Sequence, residues 1–379
     1  MKNFVRSIVV VFCLISLLSP FLSAQSVDEI FNRFIKKYQT YQGTTIPYYL
    51  FKPANYTPAT HFPLVLCLHG SGERGDNPSA VKNNSMATVW ARDSNQARWP
   101  CFILVPQCPT NGWWPDVNLI LTVNNIVDSL RSEFSLDTNR LYITGLSMGG
   151  YGTWSTIAYF PHKYAAAVPM SGGGDPSTAT LIKHIPIWNF HGAQDGTVNV
   201  SASRQMISAL ENTGCTIVYT NCHNGDCTGL SDSALADKIK SGAKKLYTEY
   251  QYGGHLIWDQ AYNTALLSSW LFAQSTGQIS SSIDQEPIHV LPEEPALSQN
   301  FPNPFNPSTE IRFSVENSCH VNLCVYDILG RDVVTLIDEK KSAGMYSVTF
   351  NAHNIPSGVY FYRIKAGNFA SVKKLMVVK

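Results

Sequence analysis

Between residues 45 and 272, short and almost wholly apolar runs alternate with segments whose apolar residues recur every three or four positions. The apolar runs are typical of buried strands, and they read PLVLCLHG, CFILVPQ, RLYITGLS, AAAVPMSG and IPIWNFHG. The clearest helical segment carries apolar residues at Leu119, Ile120, Val123, Val127, Leu130 and Phe134. Such strands alternating with helices indicate a mostly parallel sheet flanked by helices. The sequence therefore predicts an α/β fold for this part of the chain.

The pattern changes near the C-terminus, where it predicts strands only. The strand-like runs are EIRFSV, VNLCVYDI, DVVTLI, MYSVTF, VYFYRI and VKKLMVV, and short turns separate them. This pattern is typical of a small all-β sandwich. Residues 275–297 precede it, are rich in serine, proline and acidic residues, and have no periodicity, so we expect an exposed linker there. The predicted domains are residues 25–274 and residues 298–379.

Residues 1–24 have the pattern of a secretory signal peptide. Two basic residues precede the apolar run IVVVFCLISLL, and the segment ends in Leu22-Ser23-Ala24. The apolar run is shorter than the roughly 20 residues that a membrane span requires. We therefore expect export, removal of residues 1–24, and no membrane span in the mature chain.

Charge and length narrow the class of protein further. The chain of 379 residues has 28 basic and 27 acidic side chains. A balance this close to neutral argues against nucleic acid as a partner. The length also exceeds what one hydrophobic core usually holds, which agrees with two domains.

A glycine-rich turn, TGLSMGGYGTW, lies between the strand-like run RLYI and a helical segment. Glycine in a helix interior costs about 1 kcal/mol relative to alanine, so these glycines indicate close approach of two backbones. Gly145 to Gly149 match the G-x-S-x-G nucleophile elbow, in which a strained strand-to-helix turn presents the serine. We therefore expect Ser147 to be a nucleophile. The alternative is a structural turn with an incidental serine.

A nucleophilic serine needs an imidazole to take its proton and a carboxylate to orient that imidazole. Asp195 follows the strand-like run IPIWNF, and His255 follows LYTEYQY. Ser147, Asp195 and His255, each after a strand, have the chain order of the α/β-hydrolase triad. The sequence therefore predicts these three as catalytic. The alternative interpretations are an Asp-Gly turn and a histidine at a helix entry.

Ester or amide hydrolysis also needs N–H donors for the negative oxygen of the tetrahedral intermediate. The Met148 N–H, at the start of the helix, is the first predicted donor. The loop HGSGERG, after the strand PLVLCL, is predicted to supply the second through the Ser71 N–H, with either neighbouring glycine as an alternative. His69 and His191 each precede a glycine at a turn, and we expect structural roles for both.

Three tryptophans are candidate substrate-binding residues. Trp113 and Trp114 follow the strand CFILVPQ, and Trp258 lies three residues after His255. Each is therefore expected near the same sheet edge as the triad, where an aromatic surface would hold an acyl group or a sugar. The alternative for each is packing in the core.

Export would allow disulfide bonds to form. Cys222 and Cys227 flank the turn-prone sequence HNGD and are the best local pair.

The motifs together resemble those of secreted carboxylesterases, a group that includes feruloyl esterases, acetylxylan esterases, polyhydroxybutyrate depolymerases and predicted peptidases. They are HGSGERGDN, LVPQCPTNGWWP, DTNRLYITGLSMGGYGTW, HGAQDGTV and GGHLIWDQAY. The resemblance covers about residues 45–272. It implies an α/β-hydrolase fold and hydrolysis of carboxylic esters without a metal or cofactor, with feruloyl or acetyl esters of plant polysaccharides favoured. A polyester depolymerase, a peptidase and a surface-binding protein with an inactive hydrolase fold remain alternatives.

Residues 298–379 carry a second resemblance. LSQNFPNPFNPSTEIRFSV, VYDILGRDV and PSGVYFYRIKAGNFASVKKLMVV resemble the sorting domain of type IX secretion, which directs cargo across the outer membrane. The resemblance implies the type IX machinery as a partner and a location at the cell surface or in the medium. The alternative is a generic β-sandwich that binds carbohydrate or protein.

Overall fold

The computed structural model describes residues 25–41, 43–222, 226, 228–277, 295–300 and 303–378. The predicted signal peptide and residues 278–294 of the predicted linker lie outside the described residues. Within the described part, every helix is too short or too polar to cross a membrane.

Residues 25–277 are built on a mixed sheet, in which the described strands take the order β1-β2-β4-β3-β5-β6-β7-β9-β8. The strands are β1 (Phe34–Tyr41), β2 (Thr44–Phe51), β3 (Phe62–Leu68), β4 (Phe102–Pro106), β5 (Leu136–Leu146), β6 (Ala166–Met170), β7 (Ile187–Gly192), β8 (Val218–Tyr219) and β9 (Lys245–Tyr250). The pairs β1–β2 and β2–β4 are antiparallel, and the other neighbouring pairs are parallel. The predicted α/β class is confirmed.

Helices cover both faces of this sheet. They are α1 (Val27–Phe31), α2 (Ser79–Lys82), α3 (Thr88–Ala91), α4 (Asp93–Arg98), α5 (Val117–Glu133), α6 (Met148–Tyr159), α7 (Ala179–Ile182), α8 (Ser201–Asn212), α9 (Asp232–Lys240), α10 (Trp258–Tyr262) and α11 (Leu267–Phe272). Because successive side chains of a strand point to opposite faces, β3 contributes Val65 to one buried apolar cluster and Leu64 and Leu66 to another. Burial on both faces explains why the strands are continuously apolar.

Residues 295–378 form the predicted β-sandwich. One sheet has the order β10-β11-β14 and the other β13-β12-β15-β16, and all pairs within them are antiparallel. The strands are β10 (Ala296–Leu297), β11 (Ser308–Val315), β12 (Cys319–Tyr326), β13 (Asp332–Lys341), β14 (Gly344–Asn351), β15 (Gly358–Ala366) and β16 (Phe369–Val377). Inward-facing residues of both sheets, including Phe313, Leu323 and Ile364, make one apolar core.

Candidate active site

Ser147 lies at a strained turn between a strand and a helix. It follows the last residue of β5, caps the N-terminus of α6, and has φ 53° and ψ −117°. A β-carbon at Gly145 would overlap the Gly149 carbonyl, and one at Gly149 would overlap the Leu68 carbonyl. Only glycine lets α6 pass this close to β5 and β3. The local geometry is therefore that of a nucleophile elbow.

His255 lies between Ser147 and Asp195. Its Nε2 accepts a hydrogen bond from the Ser147 hydroxyl at 2.9 Å, and its Nδ1–H donates to Asp195 Oδ2 at 2.7 Å. Asp195 is on the loop after β7, and His255 is on the loop after β9. Because β5, β7 and β9 are parallel strands of one sheet, their carboxyl ends meet at the same edge, and the three side chains meet there.

The carboxylate of Asp195 is buried and well supplied with donors. Its Oδ1 accepts hydrogen bonds from the N–H groups of Thr197 and Val198, each at 2.8 Å. Burial alone would raise the pKa of Asp195, but the hydrogen bonds from His255, Val198 and Thr197 outweigh it and lower that pKa. Asp195 is therefore ionised at neutral pH, which suits it to orient His255 and to stabilise its protonated form.

The loop after β3 passes beside Ser147. A 3₁₀ turn, Ser71–Glu73, starts directly after Gly70, and a β-carbon at Gly70 would lie 3.7 Å from Ser147 Cβ. The Ser147 N–H donates to Met170 O at 2.9 Å. The Met148 N–H opens α6, where an N–H has no acceptor within the helix. The start of α6 and the loop that carries the Ser71 turn therefore both lie next to Ser147, and the donor roles of Met148 and Ser71 stay predictions.

Buried side chains hold this loop in place. His69 Nδ1–H donates to Gly70 O at 2.6 Å, and His69 Nε2 accepts from the Cys108 N–H at 2.9 Å. Burial lowers the pKa of His69 to about 4, so its imidazole is neutral. The Gln107 side chain donates to Glu73 O at 3.0 Å. These bonds fit the structural role that the sequence predicts for His69.

The predicted substrate contact of Trp114 needs correction. Its side chain is 1 % exposed, and its indole N–H donates to His69 O at 2.9 Å, so it anchors the loop from within the core. Trp258 is also buried and packs edge-on against the His255 ring, with centroids 4.9 Å apart. Trp113 is 38 % exposed and contacts the Tyr151 ring at 5.4 Å. Of the three tryptophans, only Trp113 presents a sizeable surface.

Sequence reasoning missed three side chains near the triad. Tyr151 lies four residues after Ser147, and therefore on the same side of α6. Tyr252 and Leu256 lie on the loop that carries His255, and they are 80 % and 81 % exposed. The signal in the sequence was the presence of two large apolar residues within three positions of His255, on a loop that follows a strand.

Two further observations concern cysteines and metals. Cys222 is disulfide-bonded, while Cys227, its predicted partner, lies outside the described residues. Among the described residues, no three His, Cys, Asp or Glu side chains cluster in a way that could hold a metal ion.

Two family models match parts of the chain. Residues 299–378 match the family described as secretion system C-terminal sorting domain. Residues 122–190, which include Ser147, match the prolyl oligopeptidase family. The C-terminal match supports secretion or export to the cell surface.

Two of the curated relatives carry esterase names. A bifunctional acetylxylan esterase/xylanase from Neocallimastix patriciarum is 28% identical over 44% of this chain and 24% of its own length. Feruloyl esterase D from Neurospora crassa is 24% identical over 43% of this chain and 58% of its own length. The chain thus spans between about a quarter and just over half of these curated relatives.

One solved structure, a thermostable esterase, is 37% identical and has a TM-score of 0.55 over 65% of this chain and 64% of that chain. Residues 25–277 have the α/β-hydrolase fold. In this fold, Ser147, Asp195 and His255 lie after the carboxyl ends of strands, which is where α/β-hydrolases carry their catalytic groups.

Proposed function

We propose that the chain is a secreted serine carboxylesterase that forms an acyl-enzyme on Ser147. The observation that carries the proposal is the continuous hydrogen-bond chain from the Ser147 hydroxyl through His255 to Asp195. The similarity to esterases in both sequence and fold supports the same chemistry.

The proposed reaction has two halves. Ser147 Oγ attacks the ester carbonyl carbon while His255 Nε2 takes the hydroxyl proton, and the N–H groups of Met148 and Ser71 bind the resulting oxyanion. The intermediate collapses, His255 returns the proton to the leaving alcohol, and the acyl group stays on Ser147. His255 then takes a proton from water, which attacks the acyl-enzyme; the bond to Ser147 Oγ breaks, His255 returns the proton to Ser147, and the carboxylic acid leaves. Asp195 keeps His255 in the tautomer that both halves require.

The favoured substrates are feruloyl or acetyl esters of plant polysaccharides. Apolar side chains near the proposed triad favour a substrate with a large acyl group or a polymer. Trp113 packs against the Tyr151 ring, and the exposed side chains of Tyr252 and Leu256 lie on the loop that carries His255. A polyester substrate is the second candidate, because a 53-residue segment is 38% identical to poly(3-hydroxyalkanoate) depolymerase C from Paucimonas lemoignei. We further propose that residues 1–24 direct export and that residues 298–379 engage the type IX machinery.

A substrate panel tests the activity. p-Nitrophenyl acetate, methyl ferulate, acetylated xylan, polyhydroxybutyrate and a chromogenic peptide are compared with the wild-type chain and with Ser147→Ala. We expect hydrolysis of the ester substrates and a loss on the order of 10⁶ in turnover for Ser147→Ala. Ser155→Ala, on the same helix, is the matched control and should retain activity. Ester hydrolysis that survives in Ser147→Ala would refute the mechanism, and an inactive wild-type chain would favour a binding protein.

A further inference from the structure

A second histidine approaches the carboxylate of Asp195. His191, at the end of β7, is completely buried. Its Nε2 lies 3.3 Å from Asp195 Oδ2, the oxygen that also accepts from His255 Nδ1 at 2.7 Å. The same Nε2 lies 2.9 Å from Val198 O. Two imidazoles therefore converge on one carboxylate oxygen.

The partners of His191 fix its tautomer. Its Nε2 faces only acceptors, a carboxylate and a carbonyl, so the proton of a neutral ring must be on Nε2. Nδ1 is then an acceptor, and Ser203 Oγ lies 2.7 Å from it. Ser203 is a buried residue of α8, and its Oγ also lies 2.9 Å from Gly172 O. When the Ser203 hydroxyl gives its one proton to His191 Nδ1, Gly172 O is left as a close neighbour only, and Ser203 holds the ring from the side away from Asp195.

Several charged or titratable groups act on His191. Burial lowers its pKa, and the bond to Val198 O and the charges of Asp195 and Glu249 oppose this effect, while His255 adds to it. Glu249 is itself paired with Arg204 of α8 at 2.6 Å. Because burial prevails, His191 is neutral at neutral pH and acts there as a donor without a charge.

We propose that His191 is a positioning residue for the active site: its Nε2–H, held by Val198 O, lies beside Asp195 Oδ2, the acceptor of His255, and keeps the carboxylate in one orientation. The role rests on the proposed catalytic function of Ser147, Asp195 and His255. Two backbone N–H groups bond Oδ1 and the His255 Nδ1–H bonds Oδ2, while His191 Nε2, whose N–H bonds Val198 O, lies 3.3 Å from the same Oδ2 and restrains the carboxylate from that side. Without His191, the negative charge of Asp195 would interact with His255 alone. The protonated form of His255 would then be stabilised more strongly.

Two amide replacements separate this role from simple packing. The amide of His191→Asn reaches about as far as Nδ1 and can bond Ser203, but it falls short of Asp195. The amide of His191→Gln reaches about as far as Nε2 and can donate to Asp195. We expect kcat/KM for p-nitrophenyl acetate at neutral pH to fall about tenfold in His191→Asn, the lower end of the effect of removing a polar group beside a charged one. In His191→Asn, the acid limb of the profile of kcat/KM against pH should also move to higher pH. In His191→Gln, both kcat/KM and the position of this limb should be close to those of the wild-type chain.

Melting temperatures of both variants provide the control for structural damage. A merely structural role would lower kcat/KM by the same factor at every pH and equally in both variants, and this result would overturn the proposal. Ser147→Ala is measured alongside. Full activity in Ser147→Ala would overturn both the proposed function and the role of His191. If Ser147→Ala is inactive but His191→Asn and His191→Gln have the same kcat/KM and the same pH profile, only the proposed role of His191 would be overturned.

Discussion

The Ser147 hydroxyl donates to His255 Nε2 at 2.9 Å, although 108 residues separate the two in the chain. The contact depends on a turn and a loop that follow β5 and β9, two strands of the parallel part of the sheet whose carboxyl ends lie at the same edge. It also depends on the strained backbone of Ser147, because at φ 53° the side chain points out of the turn. Each of these conditions can be changed by a single substitution.

Asp195→Asn should lower kcat by about 10⁴ and leave the fold intact. The amide can present its N–H to His255 and so favour the tautomer in which Nε2 carries the proton and cannot accept from Ser147. Asp175→Asn is the matched control, because Asp175 likewise accepts a hydrogen bond from the N–H two residues later but lies outside the triad. Ester hydrolysis by both variants at near-normal rates would show that another acid orients His255.

Gly149→Ala should destabilise the protein by at least about 3 kcal/mol, the upper end for an overpacked core. The added methyl would overlap the Leu68 carbonyl, and neither β3 nor α6 can move without separating the sheet from the helix. Gly196→Ala is the control, since nothing lies within 4 Å of the position that its β-carbon would take. Urea unfolding measures both. A Gly149→Ala protein as stable as Gly196→Ala would mean that α6 and β3 can separate at the elbow without cost.

His69 should make stability depend on pH. Burial lowers its pKa from 6.5 to about 4 in the folded protein, so the unfolded chain binds the proton more readily between these values. Stability is therefore complete above about pH 6.5 and falls on acidification by on the order of 3 kcal/mol, reaching its floor near pH 4. In His69→Gln this contribution should vanish.

Urea unfolding of the wild-type chain and His69→Gln at a series of pH values measures the effect. The difference in unfolding free energy between the two proteins should shrink as the pH falls. Parallel curves across this range would contradict a buried, neutral His69.

The order of the proposed catalytic residues could be read from the sequence because each follows an apolar strand. Parallel strands of one sheet have their carboxyl ends at the same edge, independently of the loop conformations. To predict that Ser147, Asp195 and His255 lie near one another, it was therefore enough to assign the strand that precedes each of them. The α/β class and the β-sandwich followed from hydrophobic periodicity for the same reason.

Other features depend on tertiary contacts that no local pattern reveals. Trp113 and Trp114 are adjacent in one loop, yet only the second reaches His69 O and becomes buried. The hairpin of β1 and β2 was not predicted, because β1 lies at the sheet edge and is only partly buried, which weakens its apolar pattern. The contact of His191 with Asp195 likewise appears only once β7 and its loop are folded.

The two neighbouring tryptophans should respond differently to replacement by alanine. Trp113→Ala removes exposed aromatic surface, so it should reduce hydrolysis of methyl ferulate far more than that of p-nitrophenyl acetate. Trp114→Ala empties a core position and should destabilise the protein by about 3–5 kcal/mol. Kinetics on both esters and urea unfolding are measured for each variant. Equal kinetic losses on both esters for Trp113→Ala would remove it from the proposed substrate surface.

A chain restricted to residues 25–277 should fold and retain the esterase activity. The buried apolar clusters divide at the predicted linker: two comprise residues between 30 and 272, and the third comprises residues between 297 and 377. All proposed catalytic groups belong to the first part, so its kcat for p-nitrophenyl acetate should match that of the longer chain. In the native host, a chain of residues 1–277, which keeps the proposed export signal but lacks the sorting domain, should remain in the periplasm. Activity assays of the purified protein and of cell fractions measure the two effects separately. An insoluble or inactive truncated chain would mean that the β-sandwich completes the hydrolase core, and normal release into the medium would refute the sorting role.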